Sequence, residues 1–278
     1  MKTLAKSAKG TLEVIERGGY VARSGRSVDI RAAIDAAVRG TVLHHPDELD
    51  TLAARSFARS SAAPIVELTA ETTAEAGRRL VQREGVARVV ALNFASAKNP
   101  GGGFLSGAKA QEEDLARCSA LYPCLCAQPE YYRANRACGT VLYTDHIIYS
   151  PDVPFFRDER LELLEDPFAL SIITAPAPNA AAAEQQGLHI DDEIGATLAR
   201  RAKKVLAVAA AHEHRTLVLG AWGCGVFRND PAAVARTFAD ALAGDDLRGA
   251  FERVVFAVYD PGGRNLGAFE RQLGPARL

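Results

Sequence analysis

Asn99-Pro100-Gly101-Gly102-Gly103-Phe104-Leu105-Ser106-Gly107-Ala108-Lys109-Ala110-Gln111-Glu112-Glu113 joins two patterns of different period. Upstream, Arg88 to Phe94 (RVVALNF) is a short apolar run with the length of a buried strand. Downstream, Glu113 to Leu125 carries apolar residues at helical spacing. Strand, glycine turn and helix start, in that order, place chemistry at the carboxyl end of the strand. Three consecutive glycines remove the Cβ atoms, so backbone N–H groups can close on an anion such as a phosphate. The helix start adds its own unpaired N–H groups, the positive end of its dipole and two adjacent carboxylates, Glu112 and Glu113. Each feature also has a plain structural reading, the glycines as a loop and the glutamates as a complement to the dipole. The stretch is neither a P-loop, which needs Gly-Lys-Ser/Thr at the helix start, nor a G-x-G-x-x-G dinucleotide fingerprint.

Working outward, strands and helices alternate. Pro64 to Leu68 reads as a strand, with Thr72 or Thr73 capping a helix from Ala74 to Glu84. Beyond the site stretch come a helix over Glu130 to Asn135, strands at Val141 to Tyr143 and His146 to Ser150, and a strand from Phe168 to Ala175. A helix over Asp191 to Glu213, a strand at Leu217 to Leu219, a Pro231-started helix to Ala243 and a strand at Val254 to Val258 complete the series. Pro151 to Asp166, with two prolines and several acidic residues, reads as an insertion that bends over the site. The pattern predicts an α/β protein with helices on both faces of a mixed or mostly parallel sheet. Ligands bind such sheets at the carboxyl ends of strands. Four loops become candidates: Thr69 to Thr73, Ala95 to Ser106, Pro176 to Ala182 and Gly220 to Asn229. Residues 1–60, with helical spacing over Val28 to Val38 and Glu48 to Ala58, are expected as an N-terminal helical extension whose first 26 residues are a polar lead-in; 61–278 are expected as the catalytic domain.

The loop Gly220-Ala221-Trp222-Gly223-Cys224-Gly225-Val226-Phe227-Arg228-Asn229 repeats the logic of the first, with Phe227 able to lay a flat face on a sugar or base. Alone it would be a tight connection with Trp222 and Phe227 in the core. Beside the first loop it suggests a ligand with two phosphates.

A triple glycine, a short spacer (Phe104 to Ala110) and Gln111-Glu112-Glu113 resemble the signature of the poly(ADP-ribose) glycohydrolases. The wider stretch Leu92 to Glu113 (LNFASAKNPGGGFLSGAKAQEE) looks like their bacterial-type branch, whereas ordinary macrodomains, the ADP-ribose-binding relatives, lack the paired glutamates. The resemblance implies a macrodomain-like three-layer sandwich. It implies hydrolysis of ribose–ribose O-glycosidic bonds, with poly(ADP-ribose) or ADP-ribosylated proteins as substrate and no cofactor. By the same resemblance Glu113 is the acid and then the base, and Glu112 holds ribose hydroxyls. Asn99, Gly101, Gly102, Gly103 and Gln111 become substrate contacts at the first loop, and Gly223, Gly225, Val226 and Phe227 at the second. The first loop is expected to hold phosphate, so a side chain at Gly102 should weaken ADP-ribose binding. An ADP-ribose-binding module without hydrolysis and a hydrolase of single ADP-ribose units stay open as alternatives.

The charge of −1 and a pI of about 6.6 provide no global field for nucleic acid or an anionic membrane, so no stable nucleic-acid partner is expected. The apolar runs fall short of a bilayer span, and the first residues lack a secretory pattern. The five cysteines are odd in number and form no C-x-x-C pair, which fits buried thiols in a cytoplasmic monomer. His44-His45 and His212-Glu213-His214 lack further ligands in sequence, so no metal is expected and chelators should leave activity intact.

Overall fold

The computed structural model describes residues 2–59 and 62–274. The expected boundary at 60/61 lies outside the described residues. The chain begins with α1 (Lys2–Arg17), a small hairpin of β1 (Gly19–Val21) and β2 (Ser27–Asp29), α2 (Arg31–Gly40), β3 (Val42–His44) and α3 (Pro46–Ala53). Next come β4 (Ile65–Thr69), α4 (Thr73–Arg78), β5 (Val89–Asn93), α5 (Gln111–Cys118), α6 (Leu121–Cys126) and α7 (Pro129–Ala137). The rest is β6 (Ile147–Arg157), β7 (Leu163–Thr174), α8 (Ala180–Gln185), α9 (Asp191–Ala211), β8 (Thr216–Leu219), α10 (Pro231–Ala243), β9 (Arg253–Ala257) and α11 (Arg264–Leu273).

The main sheet has seven strands in the order β3-β6-β7-β5-β8-β9-β4. Strands β3, β7, β5, β8, β9 and β4 run in one direction, while β6, between β3 and β7, runs antiparallel to both. Side chains of a strand alternate between faces, and two cores follow from that period. On β5, Val90 and Leu92 enter one core while Val89 and Ala91 enter the other; on β9, Val254 and Phe256 part from Val255 and Ala257 in the same way. The first core packs on α3, α9, α10 and α11, and the second on α2, α4, α5, α6 and α7. The result is a mixed sheet between two helical layers. No helix among the described residues is long and apolar enough to cross a membrane.

Four local expectations change. Residues 1–60 are not only helical, because Val42–His44 pairs with Ile147–Tyr149 as the edge of the main sheet. The polar lead-in is the helix α1, whose Thr11 hydroxyl donates to the Arg117 carbonyl at 2.7 Å and whose Ala8 packs with Phe104 and Ala116 beside the site loop. Pro151 to Asp166 is no separate insertion: most of it extends the β6–β7 hairpin, with a register shift between Ser150 and Val153 that absorbs Pro151 and Asp152. Val141 to Tyr143 is a turn, since Tyr143 takes φ 59° and Arg201 claims the Leu142 carbonyl at 3.0 Å.

A buried ion cluster fixes that turn. Asp145 accepts from Arg200 (2.7 Å), Arg201 (2.9 Å) and Lys204 (2.8 Å) of α9. Burial raises its pKa, but the Arg200 hydrogen bond and the Arg201 and Lys204 charges outweigh it and hold the carboxyl well below the usual range.

Candidate functional site

The carboxyl ends of β4, β5, β8 and β9 open into a cleft of about 740 Å³. Its walls include Thr72 to Glu75 after β4, Phe94 to Ser96 after β5, Lys109 to Leu115 at the start of α5, the loop after β8 and Val258-Tyr259 after β9. Thr72 caps α4, accepting from Glu75 N at 3.2 Å while its own N–H donates to the Glu75 carboxylate at 2.8 Å.

Gln111 locks α5 to the end of β5. Its Oε1 accepts from Phe94 N at 2.9 Å, and its Nε2 donates to the Leu92 carbonyl (2.7 Å) and to Thr73 Oγ1 (3.1 Å). Both amide protons are thus committed to the protein. The next two residues point their carboxylates toward the glycine loop. Glu112 is 5 % exposed and Glu113 8 %. Glu112 Oε1 accepts from Asn93 Nδ2 at 3.3 Å and Oε2 from Ser96 N at 2.5 Å, with a further backbone bond from Gly101. Asn93 is itself anchored to Thr174 Oγ1 at 3.2 Å. Burial pushes the Glu112 carboxyl up to about 8, against the Ser96 and Asn93 hydrogen bonds that favour its ionised form; the neighbouring Glu113 charge adds to the rise.

Glu113 is held differently. Its Oε1 accepts from Gly103 N at 2.8 Å, and its Oε2 has no hydrogen-bond partner among the described residues. Both glutamates line the cleft.

The triple glycine therefore serves carboxyl groups, and these are the protein's own. Gly101 N serves Glu112, Gly102 N donates to the Asn99 carbonyl at 3.0 Å, and Gly103 N serves Glu113. Gly101 and Gly102 have φ of 66° and 57°, a region that glycine alone enters without strain. A Cβ on Gly102 would collide with Glu113 Oε1 and press on Glu112 Oε2. Gly102 N and Gly103 N thus have partners inside the protein. Gly101, Gly102 and Gly103 are not among the cleft walls, and Asn99 lies exposed outside them.

The loop after β8 is the opposite case. Trp222 is fully buried and donates Nε1 to the Ala175 carbonyl at 2.9 Å, while Asn229 Nδ2 donates to the Pro178 carbonyl at 2.9 Å. The loop's two ends are thus nailed down. Between them, the N–H groups of Gly223, Gly225, Val226 and Phe227 have no acceptor among the described residues. All four residues line the cleft, and Val226 is 79 % exposed. Phe227 rests on Tyr143, ring centroids 6.0 Å apart, and its carbonyl accepts from Ala181 N at 2.9 Å. A Cβ on Gly225 would meet nothing within 4 Å, so open space stands there.

The structure also brings in residues that sequence reasoning did not nominate. Ser96 supplies the shortest bond to Glu112, and Asn93 donates to the same carboxyl group. Leu4 of α1, with Glu159 and Leu161 from the β6–β7 turn, closes one end of the cleft, and Tyr259 and Asn265 line another part. The β6–β7 tip thus does reach the site, as the tip of a hairpin. Only spatial proximity reveals Leu4, Glu159 and Leu161, since each is far from the motif in sequence.

Residues 8–158 match a family described as "Microbial-type PARG, catalytic domain". A solved structure of poly(ADP-ribose) glycohydrolase (PARG) from Thermomonospora curvata is 49% identical, with 98% of this chain and 100% of that chain covered at a TM-score of 0.93. The same protein bound to the inhibitor ADP-HPD is 48% identical, with coverage of 98% and 100% and a TM-score of 0.91. PARG from Deinococcus radiodurans in complex with ADP-ribose is 52% identical over 86% of this chain and 96% of that chain, at a TM-score of 0.80. No curated protein matches.

Proposed function

Since this chain belongs to the microbial-type poly(ADP-ribose) glycohydrolases, we propose that Glu113 is its acid and base, Glu112 fixes ribose hydroxyls, and the loop after β8 holds the diphosphate. The reaction is hydrolysis of the ribose–ribose O-glycosidic bond of ADP-ribose polymers, releasing ADP-ribose, and the enzyme is a glycosidase that works through a glutamate. The observation that carries the assignment of roles is the contrast within the acid pair. Both Glu112 oxygens are taken by Asn93, Ser96 and Gly101, whereas Glu113 keeps Oε2 unpartnered at the cleft wall.

The bond breaks through an oxocarbenium-like transition state. Protonated Glu113 gives its proton to the leaving ribose oxygen as the C1–O bond breaks. The resulting carboxylate takes a proton from water as the water oxygen bonds to C1, so one water is consumed and Glu113 regains its proton. Burial pushes the Glu112 carboxyl up to about 8 and so favours its protonated form, which can donate to a ribose hydroxyl. The N–H groups of Gly223, Gly225, Val226 and Phe227 meet the two phosphates. Asn99, exposed just before the glycines, is carried as a ribose contact by the family likeness, and Gly101 and Gly103 act on substrate through the two carboxyl groups they hold.

We also place the protein in the cytoplasm as a monomer. Its cysteines are all free, as a reducing compartment requires, and its cleft is completed by its own residues. Release of ADP-ribose from polymer, measured beside release from a singly modified protein, tests the substrate. Faster turnover of polymer supports the proposal, and activity on the single unit alone contradicts it.

A further inference from the structure

Away from the cleft, three segments converge on one point. His45 precedes α3, Glu130 sits in the first turn of α7, and His146 leads into β6. One ligand atom from each lies within 4.8 Å of the others, and none of the three residues lines the cleft. We propose that His45, Glu130 and His146 form a binding site for a divalent first-row cation, zinc foremost, which fastens α3, α7 and the start of β6 to one another.

Two histidines and a carboxylate are a donor set that zinc accepts, with water in the fourth position. The surroundings of His146 supply what a ligating imidazole needs behind it. Thr144 Oγ1 donates its single proton to Asn135 Oδ1 at 2.9 Å. The same hydroxyl lies 2.9 Å from His146 Nδ1, so it can only accept there, and the Nδ1–H tautomer is fixed. That leaves the Nε2 lone pair for a metal, the usual outer-shell arrangement of a histidine ligand. Asn135 is anchored in turn: its Nδ2 donates to the Tyr131 carbonyl at 2.9 Å, and its Oδ1 also takes the Thr144 N–H at 2.9 Å.

The other two donors are exposed side chains. His45 and Glu130 have side-chain exposures of 50% and 55%, and His45 Nδ1 already stands 3.9 Å from Glu130 Oε1. The His45 and His146 rings meet edge-on with centroids 5.2 Å apart. Packing accounts for that ring contact. It gives no reason for a carboxylate at the same point or for the Asn135-Thr144 relay behind the buried imidazole.

Untagged, chelator-stripped protein titrated with Zn²⁺ alone tests the site by calorimetry, with thermal unfolding followed in parallel. The expected result is one saturable equivalent and a raised unfolding temperature. Glu130→Gln and His45→Ala, both at exposed positions, should weaken binding at least tenfold while polymer hydrolysis matches the parent, which shows that both variants fold. Thr144→Val, which removes only the outer-shell bond, should cost about 10- to 100-fold. The pair His44 and His212, whose Nε2 atoms are 3.4 Å apart, is the nearest competitor, and His212→Ala should leave binding unchanged. Absence of saturable binding by the parent protein overturns the proposal. So does binding that survives both Glu130→Gln and His45→Ala.

Discussion

Gly103 gives its N–H to Glu113 at 2.8 Å, whereas Gly225, Val226 and Phe227 offer theirs to no group among the described residues. Both loops sit at the ends of strands of the same sheet, both are rich in glycine, and both are candidates for phosphate by sequence. They differ in their chain neighbours. The first is succeeded within a few residues by two carboxylates on α5 whose burial must be compensated, and its N–H groups go to them. The second has no acidic neighbour folded into it, and its ends are fastened by Trp222 and Asn229 instead. A glycine-rich loop is thus a supply of N–H groups, and the nearest anion decides whether they serve the protein or a ligand.

The largest effect should come from the acid pair. Glu113→Gln keeps shape and hydrogen bonding but cannot cycle a proton, so turnover on polymer should fall about 10²- to 10⁴-fold while ADP-ribose affinity survives. Glu112→Gln should be much milder, because a neutral amide resembles the neutral acid that burial favours. A dead Glu112→Gln beside a mild Glu113→Gln would exchange their roles.

Next is Gly102→Val. Its side chain would strike Glu113 and would have to adopt a positive φ, so turnover should drop about 10²-fold through misplacement of the acid. Affinity for ADP-ribose, measured by calorimetry, should change little. Lost affinity with unimpaired turnover would return phosphate to the first loop. Val226→Asp is the mirror test at the second loop: an exposed carboxylate among the free N–H groups should weaken ADP-ribose binding about tenfold, with turnover at saturation nearly intact. Unchanged affinity would remove the diphosphate from that loop.

A separate effect, on stability and not on turnover, concerns pH. The Glu112 carboxyl stands at about 8 in the folded protein against a reference of 4.5, so between those values the native state holds the extra proton. Stability should therefore fall as pH rises from about 5 to 8, by up to about 1.4 kcal/mol per unit. Glu112→Gln should flatten that slope in chemical denaturation. A parallel slope in both proteins would mean that Glu112 does not carry the proton.

Much of this arrangement was legible in the chain. The apolar run around Leu92, the glycine turn and the acid pair stand in sequence order, and short-range order is what periodicity and motif spacing report. The destination of each N–H was not legible, because Ser96 and Gly103 reach their glutamates only after the loop folds back on α5. The β6–β7 hairpin was hidden by Pro151 and Pro154, which read as loop residues but are accommodated in the strand beside a register shift. Tyr143 misled in the other direction: its apolar neighbours suggest a strand, yet the Asp145 ion cluster with α9 fixes a turn. His45 and His146 are distant in sequence, so their meeting with Glu130 depends on the edge pairing of β3 with β6.

The division of labour between the two loops can be observed atom by atom. In ¹⁵N-labelled protein titrated with ADP, which carries the diphosphate but not the distal ribose, the amide signals of Gly225, Val226 and Phe227 should move downfield as their N–H groups take phosphate oxygens. Those of Gly101 and Gly103 should stay in place, since the two glutamates already hold them. Large shifts at Gly101 and Gly103 with still signals at Gly225 to Phe227 would contradict that division.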